Sequence, residues 1–120
     1  MECLVSNRLC TDAKQLRVYV LNRLGDNKPM NIHCQSKDDD LGNQKVEDGN
    51  EITWGFGMNF WRSTLFWCDV QWGDSNSLHF DAYNADRDKH RCNTDCRWMI
   101  SRDGELHGYN QHKGVWEEYA

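Results

Sequence analysis

Residues 66–72 have the sequence Phe66-Trp67-Cys68-Asp69-Val70-Gln71-Trp72, in which every second residue, counted from the phenylalanine, is apolar or a cysteine. Successive side chains of a β-strand point to opposite faces of a sheet, so a period of two predicts a half-buried strand. The same alternation recurs in other short segments, at 17–22, 30–35, 52–56, 78–82 and 96–100. Two weaker candidates follow, at 106–110 and 115–119. The pattern indicates a chain built from short strands.

Turn-forming residues separate these segments. They are Gly25-Asp26-Asn27-Lys28-Pro29, Gly42-Asn43, Asp48-Gly49-Asn50, Gly73-Asp74-Ser75-Asn76-Ser77 and Asp103-Gly104. Short strands with frequent turns are typical of an antiparallel all-β domain, and a chain of 120 residues has the length of one domain. We therefore predict a single domain over residues 1–120, an all-β, small antiparallel β-sandwich of about seven or eight strands.

The composition argues against two classes of partner. The chain has 14 Lys and Arg residues against 19 Asp and Glu, a net charge of −5, whereas nucleic-acid binding draws most of its attraction from a basic face. The mean hydropathy is −0.90, and no apolar run approaches the roughly 20 residues of a membrane span. We expect no nucleic-acid partner and no membrane insertion.

Six cysteines are spread along the chain: Cys3, Cys10, Cys34, Cys68, Cys92 and Cys96. An even number without a Cys-x-x-Cys spacing favours the disulfide framework of a secreted domain over a metal or redox site, and we expect the chain to be a mature secreted protein. Sequence alone does not choose among the possible pairings. We expect Cys3 to pair locally with Cys10 and the other four to form two long-range bridges. A Cys34–Cys96 bridge would close a loop of about 60 residues.

Residues 33–42 carry a more specific signal, His33-Cys34-Gln35-Ser36-Lys37-Asp38-Asp39-Asp40-Leu41-Gly42. This stretch resembles the HC-x-SKDDDLG signature of the plant self-incompatibility S-protein family, whose members include the S-protein homologues. Other segments follow in the family's order: Val18-Tyr19-Val20-Leu21-Asn22, Trp54-Gly55-Phe56, Thr64-Leu65-Phe66-Trp67-Cys68, Trp72, Phe80-Asp81-Ala82-Tyr83, Arg91-Cys92, Cys96-Arg97-Trp98, Asp103-Gly104 and Trp116. The resemblance covers roughly residues 16–119, and so many motifs in one order make it specific.

The resemblance implies a small secreted β-sandwich stabilised by disulfides. The best understood members of the family are the stigma S-determinants of poppy, which are secreted ligands. A pollen plasma-membrane partner recognises them in a haplotype-matched way, and recognition triggers calcium influx, growth arrest and programmed death of incompatible pollen. Many other homologues have no assigned role. The chain departs from the family's usual four cysteines by Cys3 and Cys10, so we interpret residues 1–15 as an N-terminal extension with an extra cysteine pair.

From the resemblance we expect a secreted, extracellular signalling ligand without enzymatic activity or cofactor. It would act in self-incompatibility, as a monomer bound by a plasma-membrane receptor protein on pollen or another cell. Rigid strands that present replaceable polar loops suit a ligand that discriminates between partners. We expect the loops 36–44, 73–77 and 86–91 to carry the contact residues, which are Asp38, Asp39, Asp74, Asn76, Arg87, Asp88 and Lys89. Substitutions of the last three should then alter recognition and leave folding intact.

Two other features permit different functions. The run Asp38-Asp39-Asp40 offers carboxylates to calcium, but the EF-hand spacing is absent, and a structural loop is the simpler interpretation. Five histidines leave a secreted nuclease open, because His33 and His79 lie on predicted strands and could meet across a sheet as acid and base. The negative net charge works against gathering RNA.

The tryptophans allow two interpretations. Trp54, Trp72 and Trp98 share the apolar phase of their strands, which predicts core residues, although such rings could also form a carbohydrate platform. Trp67 is out of phase with its apolar neighbours and Trp61 precedes that strand, and an exposed aromatic residue often marks a contact surface. An S-protein homologue with another secreted signalling or defence role is the alternative to a self-incompatibility ligand.

Overall fold

The computed structural model describes residues 15–57 and 65–119, which contain nine β-strands and one short helix. The strands are β1 Gln15–Asn22, β2 Met30–Gln35, β3 Asp40–Val46, β4 Glu51–Gly57, β5 Leu65–Trp72, β6 Asn76–Asn84, β7 Asp95–Ile100, β8 Leu106–Asn110 and β9 Val115–Tyr119, with helix α1 Ala85–Asp88 between β6 and β7. They form a five-stranded sheet ordered β4-β1-β7-β8-β9 and a four-stranded sheet ordered β3-β2-β5-β6. The predicted all-β sandwich is confirmed, with nine described strands rather than seven or eight.

The core lies between the two sheets, where the apolar phases of the strands face each other. In β7 every second side chain is buried, and these are Cys96, Trp98 and Ile100. Trp98 contacts Phe80 of the opposite sheet at 5.4 Å between ring centroids, and its indole N–H donates to the carbonyl of Ala82 at 2.8 Å. Each large side chain buried in this way stabilises the fold by about 1.5–3 kcal/mol. The period of two in the sequence therefore correctly marked the inward face.

The prediction of a purely antiparallel domain was wrong for strand β1. It pairs antiparallel with β4 on one side but parallel with β7 on the other, with Val18 opposite Cys96 and Val20 opposite Trp98. A parallel pair needs a long connection, because the chain must return to the same end before the second strand begins. Here that connection includes the whole four-stranded sheet.

Strand β3 corrects the prediction of a contact loop over residues 36–44. Only residues 36–39 lie outside strands, and Asp40 begins an edge strand that pairs with β2. Almost every side chain of β3 is exposed or partly exposed, so the sequence has no apolar alternation there to indicate a strand. The Asp40 carboxylate accepts from the Gly42 N–H at 2.8 Å and lies 2.6 Å from His33 Nε2. These contacts hold the pKa of Asp40 below its usual range.

The disulfides also differ from the predicted long-range pairs. Cys34 bonds Cys68, which lies directly opposite it in the neighbouring strand with 4.1 Å between Cα atoms. Cys92 bonds Cys96 four residues along the chain. The Cys34–Cys96 pairing was wrong because each of these cysteines has a nearer partner within its own part of the fold, Cys68 in the adjacent strand for Cys34 and Cys92 in the preceding connection for Cys96. The predicted pair Cys3 and Cys10 lies outside the described residues.

Candidate interaction site

The connections between strands fall at two opposite ends of the sandwich. The end above the buried Asn22, named the Asn22 end, consists of the loops 23–29, 47–50, 73–75 and 101–105. The other end, named the Cys92 end, includes the connections 36–39, 85–94 and 111–114. Asp74 and Asn76 therefore lie at the Asn22 end, whereas the remaining predicted contact residues lie at the Cys92 end. The structure does not bring the predicted contact residues together into one site.

Asn22 organises the end that bears its name. Its side chain is fully buried and donates to the carbonyls of Lys28 and Val46, both at 2.9 Å, while accepting from the Leu24 N–H at 2.9 Å. A buried amide is retained only when its donors and acceptors are satisfied, and here its partners lie in or beside two different loops. This role was not predicted from the sequence, although an asparagine in the inward phase of an apolar strand was a usable signal.

Asp48 fixes the tip of the loop 23–29. Its carboxylate accepts from the backbone N–H groups of Gly25 at 3.0 Å and Asn27 at 3.2 Å. Asp26 and Asn27 adopt positive φ angles of 54° and 58°, a conformation that Asp and Asn tolerate better than other non-glycine residues. Arg102 of the loop 101–105 pairs with Asp26 at 3.0 Å, with both side chains exposed. The backbone of this loop is therefore held in one conformation while its polar side chains face solvent.

Asp74 and Asn76 lie beside a shallow cleft at the Asn22 end, and both are exposed. The cleft has a volume of about 380 Å³ and is lined by Lys28, Pro29, Asn31, Gln71, Trp72, Gly73 and Asn76. Among these lining residues, all of them in the described part of the chain, there is no carboxylate, imidazole or thiol. Amide and indole groups suit hydrogen bonding and packing against a partner rather than acid–base chemistry.

Asp88 at the Cys92 end is fully buried, which overturns its predicted role as an exposed contact residue. Its carboxylate pairs with Arg91 Nε at 3.0 Å and Arg87 Nη2 at 2.7 Å, and accepts from the Asn84 N–H at 2.8 Å. Two cations and a backbone donor replace the water that the carboxylate loses. Arg87 is half-buried by the same contacts, whereas Lys89 stays exposed.

Arg91 continues this buried ion pair into the core. Its guanidinium lies 4.0 Å from the centroid of the Trp98 ring, and Nη1 donates to the carbonyls of Arg97 and Tyr109 at 3.2 and 3.0 Å. Burial lowers the pKa of Arg91, and the charge of Asp88 opposes that shift. Gly108 leaves the necessary space, since a Cβ there would stand 2.8 Å from the Trp98 ring. The segment is therefore part of the scaffold.

The loop 36–39 presents the two remaining acidic candidates, Asp38 and Asp39, in exposed positions. The loop is a tight turn, because the Ser36 N–H donates to the Asp39 carbonyl at 2.7 Å and the Asp39 N–H donates to Ser36 Oγ at 3.0 Å. Within residues 15–57 and 65–119, no group of three or more His, Cys, Asp or Glu side chains is arranged to hold a metal ion. In the same ranges, no helix is long and apolar enough to cross a membrane.

His33 and His79 lie in one row on the outer face of the four-stranded sheet, separated by Asp69. Each imidazole is 2.6 Å from a carboxylate, His33 from Asp40 and His79 from Asp69. Two strand spacings place their backbones about 9.6 Å apart. A nuclease would need both imidazoles within hydrogen-bond reach of one phosphate group, and this open row holds each against a carboxylate instead.

Three of the six tryptophan side chains pack in or against the core. Trp54 and Trp98 are buried, and Trp72 packs against the core, so they do not form a carbohydrate platform. Trp67 is partly exposed on the outer face of β5, and Trp61 lies outside the described residues. The one large aromatic side chain among the described residues that is exposed is Trp116, with 41% of its surface accessible.

Comparisons with known proteins agree with this architecture. The chain matches the family model for plant self-incompatibility protein S1 over residues 17–119. It is 39% identical to self-incompatibility protein S1 of Papaver rhoeas over 105 residues, which cover 87% of this chain and 75% of that protein. It is 45% identical to S-protein homolog 5 of Arabidopsis thaliana over 87 residues, which cover 72% of this chain and 66% of that protein.

The fold has a solved counterpart. A structure of SPH (self-incompatibility protein homologue) proteins, described as a widespread family of small, highly stable, secreted proteins from plants, aligns with a TM-score of 0.68 at 15% sequence identity. The alignment covers 91% of this chain and 98% of the other. At 15% identity this structural similarity supports the fold alone. The family relationship rests on the sequence matches given above. The chain belongs to the plant self-incompatibility protein S1 family.

Proposed function

We propose that this protein is a secreted signalling ligand, without enzymatic activity, that is recognised by a receptor protein on the surface of another cell. Membership of the S1 family supports secretion and an S-protein-like role. The Papaver rhoeas relative is named for self-incompatibility, so the receptor is proposed to lie on pollen. Binding would trigger calcium influx, growth arrest and programmed death of incompatible pollen.

The observation that carries the proposal is the fixed polar loop 23–29 at the Asn22 end. Buried Asn22 and partly buried Asp48 hold this loop through four hydrogen bonds between 2.9 and 3.2 Å, and Asn22 also donates to the Val46 carbonyl at 2.9 Å. A surface that is rigid before binding loses less conformational entropy when it binds. Side chains at the loop tips can differ between variants without changing the backbone, which suits recognition of matched partners.

The contact residues proposed at the two ends are exposed. Asp74 and Asn76 lie at the Asn22 end, and Asp38, Asp39 and Lys89 lie at the Cys92 end. The Asn22 end is the favoured contact surface because the loop 23–29 there is fixed by Asn22 and Asp48, and its residues Lys28 and Pro29 line the same cleft as Asn76. With a net charge of −5, the protein suits a receptor with a basic outer domain, since opposite charge speeds association.

The experiment is an in vitro pollen-tube assay with correctly oxidised recombinant protein. Cytosolic calcium and tube length are recorded in pollen of several genotypes. We expect arrest in some genotypes and none in others, and we expect the reduced and alkylated protein to be inactive. An Asp74→Lys variant should lose more potency in the responsive genotypes than an Asp38→Lys variant at the other end, because the Asn22 end is the favoured contact surface. Absence of any response in all pollen contradicts the proposal.

A second candidate is a ligand with a signalling role outside pollination. It is supported by the 45% identity over 87 residues to S-protein homolog 5 of Arabidopsis thaliana, a relative whose name states no role in pollination. The same calcium measurement on leaf and root cells distinguishes the two candidates. A response confined to those tissues supports the second candidate and contradicts a pollen receptor.

A further inference from the structure

The outer face of the five-stranded sheet carries an aromatic row that the core does not use. Tyr19 lies opposite Arg97 in the register of β1 and β7, and Tyr109 lies opposite Trp116 in the register of β8 and β9. The pairing of Trp98 with Gly108 makes Arg97 and Tyr109 neighbours as well. The four side chains therefore form one line across four strands.

The members of this row contact one another. The Arg97 guanidinium lies 4.0 Å from the centroid of the Tyr19 ring, and the rings of Tyr109 and Trp116 meet edge to face at 5.2 Å. The Tyr19 hydroxyl donates to Asp95 Oδ1 at 2.8 Å. These contacts fix the side chains before any partner arrives, which lowers the entropy lost on binding.

A second row beside the first adds apolar surface. Leu21 lies opposite Met99, and Met99 lies opposite His107, and all three side chains are partly exposed. The six residues that form this surface, named the aromatic face, are Tyr19, Leu21, Arg97, Met99, Tyr109 and Trp116. The outer face of the four-stranded sheet offers the opposite composition in its central positions, which are Asn31, His33, Asp69, Gln71 and His79. Trp67 and Leu65 add apolar surface at one end of that face, but its centre is polar, so the five-stranded sheet has the more continuous apolar outer face.

Acidic side chains border the aromatic face. Glu51 lies opposite Leu21 at one margin, and Glu118 lies opposite His107 at the other. Glu105 at the Asn22 end lies close to Glu118, and a hydrogen bond between the two carboxyl groups together with the negative charge of Glu118 raises the pKa of Glu105. An apolar centre rich in Tyr, Trp and Arg with a polar border is the composition of protein interfaces, and these three residue types dominate their binding energy.

We propose that the aromatic face docks the receptor of the proposed function, through an apolar segment of that receptor flanked by lysine or arginine residues. The inference rests on that function and adds a second contact surface, which adjoins the Asn22 end at Leu21 and Met99, together with the chemistry of the partner. A second copy of the chain would fit the aromatic face less well, because Glu51 and Glu118 would approach the acidic residues of the other copy and repel them. A polysaccharide is also a poorer occupant, since Arg97 already covers the ring of Tyr19 on which a sugar would stack.

The experiment measures binding of fluorescently labelled, oxidised protein to pollen protoplasts, with and without trypsin treatment of the cells. We expect saturable binding that trypsin abolishes and that weakens with salt. Trp116→Ala should weaken binding about 30-fold, the effect of losing a hot-spot aromatic residue. Glu118→Lys should weaken it at low salt. Leu65→Ala is the matched control, because Leu65 is 38% exposed on the other sheet, and it should bind like the wild type.

Three other outcomes would overturn the inference, and they can be distinguished from one another. Wild-type binding that Trp116→Ala and Glu118→Lys leave unchanged overturns the docking surface and keeps the proposed function. Binding that resists trypsin and is competed by soluble cell-wall glycans replaces the protein partner by a polysaccharide. No saturable binding of the wild type overturns the inference together with the proposed function. Equal melting temperatures of all variants confirm that folding is intact.

Discussion

At the scale of single residues, Asp88 shows that the neighbours of a charged side chain determine whether it is buried or exposed. The segment 87–91 combines one acidic residue with three basic residues and a histidine, and such a mixed-charge sequence is typical of a solvated loop. Charged side chains are rarely buried unless they are paired, and here Arg87 and Arg91 supply the pair at 2.7 and 3.0 Å. Whether such partners meet depends on the path of the chain after β6, which no local pattern reveals.

Replacing Asp88 therefore tests the scaffold rather than recognition. Asp88→Ala leaves the buried Arg91 guanidinium without its carboxylate, and we expect the free energy of unfolding to fall by about 3–5 kcal/mol. Lys89→Ala, one residue further along at an exposed position, should change it by less than about 0.5 kcal/mol. Urea unfolding followed by tryptophan fluorescence measures both. Equal stabilities of the two variants would show that the ion pair contributes nothing.

Tyr83 predicts how the protein behaves in alkali. Burial, with the charge of Asp88 adding to it, raises the pKa of Tyr83 from 10.0 to about 12. The unfolded chain then loses the phenolic proton before the folded chain does. The stability that protonated Tyr83 contributes is fully present below pH 10. As the pH rises from 10 to about 12, the free energy of unfolding falls by on the order of 2 kcal/mol.

The matching variant is Tyr83→Phe, which keeps the ring contact with Phe56 and removes the proton. We expect its free energy of unfolding to decline less than that of the wild type between pH 10 and 12. Urea unfolding at several pH values in that range measures the difference. Parallel declines of the two proteins would contradict a raised pKa at this residue.

At the scale of elements, sequence alternation predicts the strands that bury one face. β5 and β7 alternate cleanly, because the core accepts every second side chain. β3 escaped prediction since an edge strand with both faces exposed needs no apolar residues. The parallel pairing of β1 with β7 was also missed, because the alternation within a strand is the same whichever direction its neighbour runs.

The observed disulfides have different expected effects, because one bond joins neighbouring strands and the other closes a short loop. The Cys34–Cys68 bond spans 34 residues and the Cys92–Cys96 bond spans 4. In the chain-entropy model, the first stabilises the fold by about 4 kcal/mol and the second by about 2 kcal/mol.

Double alanine variants of each pair test this order. We expect the variant that lacks Cys34 and Cys68 to melt at the lower temperature, and calorimetry measures both. Peptide mapping without reduction should recover the two observed pairs. Recovery of Cys34 bonded to Cys96 would contradict the observed topology.

At the scale of the whole molecule, the interaction surfaces were only partly predictable. The exposed loop residues Asp74 and Asn76 could be identified because turn sequences are polar. The aromatic face was missed, since Tyr19 and Tyr109 occupy the polar phase of their strands and belong to sequence segments far apart. Aromatic residues out of phase in several strands were the available signal, but the strand order that aligns them is a property of the complete fold.

The negative charge of the protein predicts its oligomeric state. With a net charge of −5 and acidic residues beside the aromatic face, two copies repel each other, so we expect a monomer of 14.2 kDa. Light scattering coupled to gel filtration at low and moderate ionic strength measures the mass. A dimer that dissociates in the Trp116→Ala variant would make the aromatic face a contact between copies and would contradict its role in receptor docking.

Among the described strands, β1 is synthesised first, but it gains one of its two neighbours late. It lies between β4 and β7, and β7 begins only at Asp95, after all the strands of the four-stranded sheet, which come from residues 30–84. At about 5–20 residues per second, the edge of β1 that pairs with β7 is made several seconds before its partner. During export, a cell that makes this protein must protect one apolar strand for that time. The risk of aggregation is concentrated in that interval.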